Sequence, residues 1–161
     1  MKYLDILHED IANGPGLRVT LFVSGCAHHC PGCHNPESWD CNYGKELDSD
    51  AFDEINNDLQ QDWCDGITIS GGDPMFPSNR KEIATICDYL KEQYPNKTIM
   101  MYTGYKWEDI KNEIPKSVDI LIDGPFIQEK RVITLKWRGS SNQRIIDVQA
   151  SLKKKKIVLF S

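Results

Sequence analysis

The chain has 161 residues, 19 of them basic and 24 acidic, for a formal net charge of −5. That length fits one domain, 1–161, able to bury a core without staples, and the acidic balance argues against a nucleic-acid binder. A mean hydropathy of −0.49 and the lack of any apolar run of about 18 residues leave no membrane span; the acidic start has neither the basic nor the apolar region of an export signal, so a cytoplasmic protein is expected.

Strand-like and helix-like segments alternate, the pattern of an α/β domain with parallel strands. Leu17 to Val23 is an apolar, β-branched run leading into a cysteine loop. From Asp50 to Asp62, Phe52, Ile55 and Leu59 recur at helical spacing, with Ser49 or Asp48 as N-cap. Gly66 to Ser70 reads as a buried strand halted by Gly71-Gly72-Asp73-Pro74. Ser78 is placed to cap a second helix reaching Tyr94, whose apolar face is Ile83, Ile86, Cys87 and Leu90. Lys97 to Tyr102 is the next strand, Trp107 to Ile114 a short helix, and Val118 to Ile122 another buried strand closed by Asp123-Gly124-Pro125. Beyond it the periodicity weakens; Ile145-Ile146 and Ile157 to Phe160 are further strand candidates, and Lys153 to Lys156 reads as a solvated face. The unusual segments follow the C-terminal ends of strands, the edge where parallel α/β folds bind ligands.

Six cysteines in 161 residues are too sparse for a disulfide scaffold, which typically exceeds about 8%. Without an export signal they are expected to stay reduced, as ligands, catalysts or core thiols. Cys26, Cys30 and Cys33 sit within one loop rich in Gly and Pro, whereas Cys41, Cys64 and Cys87 are scattered. The clustered thiols suit Zn²⁺, with His34 or Cys41 completing a tetrahedron, or an iron–sulfur cluster. Spacing alone does not choose between them. Cys87 and Cys64 read as core thiols, Cys41 as the competitor for a fourth ligand position. His28 and His29 read as exposed loop residues, with tuning of a cluster through a hydrogen bond as the minority alternative.

The Cys26, Cys30, Cys33 spacing resembles the cluster loop of the radical S-adenosylmethionine enzymes. Within that superfamily the flanks resemble the glycyl-radical activases of anaerobic ribonucleoside-triphosphate reductases. The matching segments run, in the family's order, through Asp10 to Arg18, Phe22 to Cys26, Cys30 to Asn35, Ser70 to Pro74, Tyr102 to Tyr105, Asp123 to Phe126 and Trp137 to Gln143. Gly32 stands where much of the superfamily carries an aromatic residue, a departure that the reductase-activating branch shares. His34 stands where close relatives often have Tyr.

The resemblance implies a [4Fe–4S] cluster held by Cys26, Cys30 and Cys33, with one iron open for S-adenosylmethionine. Gly32, Cys33 and His34 would lie near the adenine, and Ser70, Gly71, Gly72 and Asp73 would meet the methionine amino group. Reductive cleavage would yield a 5′-deoxyadenosyl radical that takes hydrogen from a glycine of the reductase large subunit. The electron would come from a donor such as flavodoxin or ferredoxin; no nucleic acid or membrane is implied. The implied fold is an incomplete β/α barrel of mainly parallel strands, roughly five or six at this length. Gly14-Pro15-Gly16 reads as a turn or as a loop that shapes the cosubstrate site, Asp123 as a loop cap with a site role as the minority alternative, and Trp137 to Gln143 as a surface hairpin or, by the resemblance, as a border of the opening for the partner glycine. The rivals are an activase of another glycyl-radical enzyme, such as pyruvate formate-lyase, a zinc-stabilised interaction module without catalysis, and an electron-transfer iron–sulfur protein with Cys41 as fourth ligand.

Overall fold

The β-branched run Arg18–Val23 forms β2, which enters the sheet between partners of opposite sense. The computed structural model describes residues 1–33 and 36–161. Upstream, Lys2–Asp10 forms β1, antiparallel to β2, and Lys45–Glu46 adds β3 along the outer side of β1. On the other side Gly66–Gly71 (β4), Thr98–Tyr102 (β5) and Ile120–Asp123 (β6) follow in parallel, and Arg144–Asp147 (β7) closes the row antiparallel. The order among the described residues is β3-β1-β2-β4-β5-β6-β7, an α/β mixed sheet with a parallel centre.

Seven strands take the place of the five or six expected. The additions at the front are the two-residue β3 and β1; in β1 only Ile6 and Asp10 are buried and the register shifts twice, so its alternation is too broken to read as a strand. At the back, the candidate strand Ile157 to Phe160 contributes only an isolated bridge between Leu159 and Ile146.

Each crossover helix forms where the chain supplies an apolar stripe and a start signal. Ser49–Leu59 (α1) buries Ala51, Ile55 and Leu59, and the Asp48 side chain caps it by accepting from Ala51 N at 2.9 Å. Arg80–Gln93 (α2) buries Ile83, Ile86, Cys87 and Leu90. A 3₁₀ turn over Pro77–Asn79 precedes it, so Ser78 lies inside that turn and does not cap the helix. Trp107–Ile110 (α3) is a single turn, shorter than expected. Val148–Lys154 (α4) was not anticipated, although Asp147 caps it through Ala150 N at 3.0 Å and Lys153 and Lys154 sit in its last turn. No helix among the described residues is long and apolar enough to cross a membrane.

Strand alternation gives the sheet two unlike faces. Val19, Leu21, Val23, Ile67, Ile69, Ile99, Met101 and Leu121 join the helices in the main core. On the opposite face Met100, Ile120 and Ile122 form a smaller cluster with Tyr102 and Trp137 packed on it. Beside that cluster the face is polar and closed to solvent. Arg18 is fully buried. Its Nε donates to Thr68 Oγ1, its Nη1 to Pro15 O and Thr98 Oγ1, and its Nη2 to the carbonyls of Ile67 and Thr98, at 2.8–3.0 Å. Five donors thus find five neutral oxygens, the full capacity of a guanidinium. Burial pushes the Arg18 pKa down to about 10, which leaves it charged at neutral pH. Beside it, burial works to raise the pKa of the Asp10 carboxyl, but hydrogen bonds from Thr20, Asn13 and Ala12 outweigh burial and hold it below the usual carboxylate range.

Replacing Arg18 by Met strands these acceptors without a donor. Arg18→Met is expected to cost about 3 kcal/mol in urea unfolding and roughly 6–12 °C in Tm; unchanged stability would mean that the oxygens find other partners. A second prediction concerns His8 on β1, whose ring bonds Asp58 and Glu54 of α1. The Asp58 bond leads in raising its pKa above 6.5. A raised folded-state pKa stabilises below the unfolded value and fades as pH rises through the folded one. His8→Gln should therefore lower Tm at about pH 6 and have little effect at about pH 9.

Candidate functional site

The loops that follow β2, β4, β5 and β6 meet at the C-terminal edge of the parallel strands around a cavity of about 250 Å³. Cys26, Cys30 and Cys33 line it from the first loop, Ser70 and Gly71 from the end of β4, and Gly72 and Asp73 from the loop after it. Thr103 and Gly104 come from the third, Gly124 and Phe126 from the fourth, and Gly139 and Gln143 complete the rim.

Backbone hydrogen bonds bring the first two loops together. Gly25 N donates to Ser38 O at 2.7 Å and Cys26 N to Trp39 O at 3.2 Å, folding the loop back on itself. Gly72 N donates to Val23 O and Asp73 N to Gly25 O, at 2.8 and 2.7 Å. The two loops approach so closely that a Cβ on Gly72 would meet Gly25 O at 2.6 Å and Ser38 O at 2.7 Å. Gly71 adopts φ +103°, a conformation that side chains resist.

One carboxylate joins three of the loops. Asp73 is 1% exposed. Its Oδ2 accepts from His28 Nε2 at 2.8 Å, Thr103 Oγ1 at 3.1 Å and Gly104 N at 2.9 Å, while Oδ1 accepts from Met75 N at 2.8 Å. His28 is therefore no exposed loop residue: it packs edge-on against Tyr105 with centroids 4.4 Å apart. His29, by contrast, is exposed and stacks on Trp39.

All six cysteines are free thiols. Cys26, Cys30 and Cys33 are half-buried, and burial pushes the Cys26 thiol upward. Cys64 and Cys87 are core thiols as expected; burial pushes Cys87 up to about 12. Cys41 does not line the cavity but lies beside Gly25, its Cβ 3.2 Å from where a Cβ there would stand. Three thiols on one cavity suit an iron–sulfur cluster, whose cysteines bind separate irons and need not converge on one point. The atoms that do converge, within 4.8 Å of one another among the described residues, belong to Cys26, His28 and Asp73.

The remaining candidates divide. Gly32, at φ +80°, packs against the Gln128 side chain and is not among the residues lining the cavity. His34 lies outside the described residues. Gly14-Pro15-Gly16 is a correction: this loop precedes β2 and holds Arg18 through Pro15 O at the start of the parallel strands, the edge opposite the cavity. Asp123 acts as a loop cap: its carboxylate accepts from Trp107 N at 2.9 Å and Arg144 Nε at 3.0 Å, and it does not line the cavity. The segment Trp137 to Gln143 does reach the rim. Gln143 Nε2 donates to Gly124 O and Asn142 Nδ2 to Pro125 O, which ties this segment to the loop after β6.

Comparison with known proteins adds a family. Residues 12–146 match the family model described as a 4Fe-4S single cluster domain. The chain is 44% identical over 147 residues to the anaerobic ribonucleoside-triphosphate reductase-activating protein of Enterobacteria phage T4, covering 90% of this chain and 93% of that one. It is 40% identical over 148 residues to the Escherichia coli protein of the same name, covering 89% and 96%. The Haemophilus influenzae protein of that name is 41% identical over 150 residues, covering 90% and 97%.

Gly72→Ala tests the close approach of the loops. The new Cβ meets backbone oxygens, which give little, so the variant is expected to lose about 1–3 kcal/mol. Because the Gly25–Cys26 segment must move, it should also incorporate less iron and sulfide per chain after anaerobic reconstitution.

Proposed function

Because the chain belongs to the anaerobic ribonucleoside-triphosphate reductase-activating proteins, we propose that it activates such a reductase by forming a glycyl radical on its large subunit. The observation that carries this reading is the meeting of three free, half-buried thiols with the Ser70 to Asp73 loop on one cavity. Cys26, Cys30 and Cys33 hold a [4Fe–4S] cluster, a set of soft thiolate donors that suits iron–sulfur ligation. Three thiolate ligands would leave room for S-adenosylmethionine, and a cluster held there would supply one-electron reduction of this cosubstrate to methionine and a 5′-deoxyadenosyl radical able to take hydrogen from the partner glycine.

The chain's own residues bind, orient and shield. Ser70, Gly71 and Gly72 present backbone to the methionine end, where the lack of side chains on the glycines permits close approach. Asp73 holds that backbone against the cysteine loop through Gly25 and His28. By the family resemblance Gly32, Cys33 and His34 would face the adenine, and of these Cys33 lines the cavity. On the same face of the sheet as Tyr102, which lines the cavity, Met100, Ile120 and Ile122 form a buried apolar cluster, and such dry surroundings favour radical chemistry. The sheet is read as an incomplete barrel. Its parallel centre supports that reading; among the described residues the end strands β3 and β7 do not pair, and an open side would admit a loop of another protein. A one-electron donor such as flavodoxin or ferredoxin completes the system.

Incubation of the reconstituted protein with dithionite, S-adenosylmethionine and an anaerobic reductase should produce a glycyl-radical EPR doublet on the reductase. Pyruvate formate-lyase in its place should give none; the reverse pattern would reassign the partner. Cys30→Ala should abolish 5′-deoxyadenosine formation and Cys87→Ala should retain it, and equal loss in both would undo the sorting of the thiols.

A further inference from the structure

We propose that the cluster-free protein binds a single divalent transition-metal ion, of the zinc, ferrous or cobaltous class, through Cys26, His28 and Asp73. One ligand atom from each lies within 4.8 Å of the other two, close enough for one ion to gather all three. Thiolate, imidazole and carboxylate together suit this class of metal, and three protein ligands leave a fourth position for water. Cys30 and Cys33 line the same cavity but stand outside the converging set.

The ligands are held in place. The side chains of Asp73 and His28 are 1% and 17% exposed. The His28 ring lies so close to Gly104 that a Cβ there would come within 2.5 Å of it, and Tyr105 packs edge-on against the ring. Thr103 Oγ1, Gly104 N and Met75 N already orient the Asp73 carboxylate, the outer support that metal-binding carboxylates need. Binding displaces the Cys26 thiol proton to solvent. Because Cys26 would serve both centres, a bound single ion blocks cluster assembly. That consequence rests on the cluster reading above; the binding itself does not.

The test is an anaerobic titration of the full-length apoprotein with Co²⁺ as optical probe. One equivalent is expected to bind with tetrahedral ligand-field bands and a thiolate-to-cobalt charge-transfer band, and Zn²⁺ should displace it. Cys30→Ala and Cys33→Ala should keep the affinity, whereas Cys26→Ala and His28→Asn should weaken it at least roughly tenfold. X-ray absorption of the zinc form of the unaltered protein needs no variant to fold and should count one sulfur among nitrogen and oxygen neighbours. Three sulfurs, loss of binding in Cys30→Ala and Cys33→Ala with His28→Asn unaffected, or no cobalt bound at all would each overturn the proposal.

Discussion

A carboxylate removed from water must recover its hydration from the protein, and Asp73 does so with donors drawn from three separate loops. Hydrogen bonds to a charged group each contribute about 1.5–3 kcal/mol when made and cost at least as much when a partner is lost. The strand-end loops therefore cannot drift independently. If the cysteine loop moved away, His28 would leave Asp73; if the loop after β5 moved, Thr103 and Gly104 would. The short Gly72 backbone reinforces this by letting peptide pack on peptide where any side chain would wedge the loops apart. The shape of the cavity thus follows from one acceptor and the absence of one Cβ.

The sheet beneath divides its labour by face. One face is apolar and buries the helices, which supplies most of the driving force for folding. The other carries charged and hydroxyl groups at its β1, β2 and β4 side and an apolar cluster at β5 and β6. This unevenness places a fully bonded polar floor at the start of the strands, at the edge opposite the cavity, and leaves the cavity end to the three thiols, the glycines and Asp73. Position along the strand, more than position in the chain, decides whether a polar residue is structural or available for chemistry.

Much of this was legible in the sequence where the signal is local. The cysteine loop, the Gly71-Gly72 turn and the parallel centre rest on residues adjacent in the chain, and the apolar stripes of α1 and α2 read correctly from spacing alone. What was missed depends on distant partners. His28 looks like a surface histidine until Asp73, 45 residues away, is brought beside it. β1 owes its existence to pairing with β2 and β3 and not to its own alternation. The misplacement of Gly14-Pro15-Gly16 had an available remedy: a loop that precedes a parallel strand lies at the edge opposite the loops that follow one. The cap of α4 was also visible, in Asp147 ahead of a short run ending in lysines.

The polar floor bears on how the molecule can change over time. Arg18, Thr68 and Thr98 come from three strands and satisfy one another through a set of bonds with no donor to spare. Groups joined in such a network do not contribute additively. A lone substitution at any of the three strands polar atoms in a dry interior, while a concerted exchange for well-packed apolar residues can be neutral or favourable. Descendants of this chain can therefore leave the arrangement only by changing several positions together, and the three residues are expected to be inherited as a block.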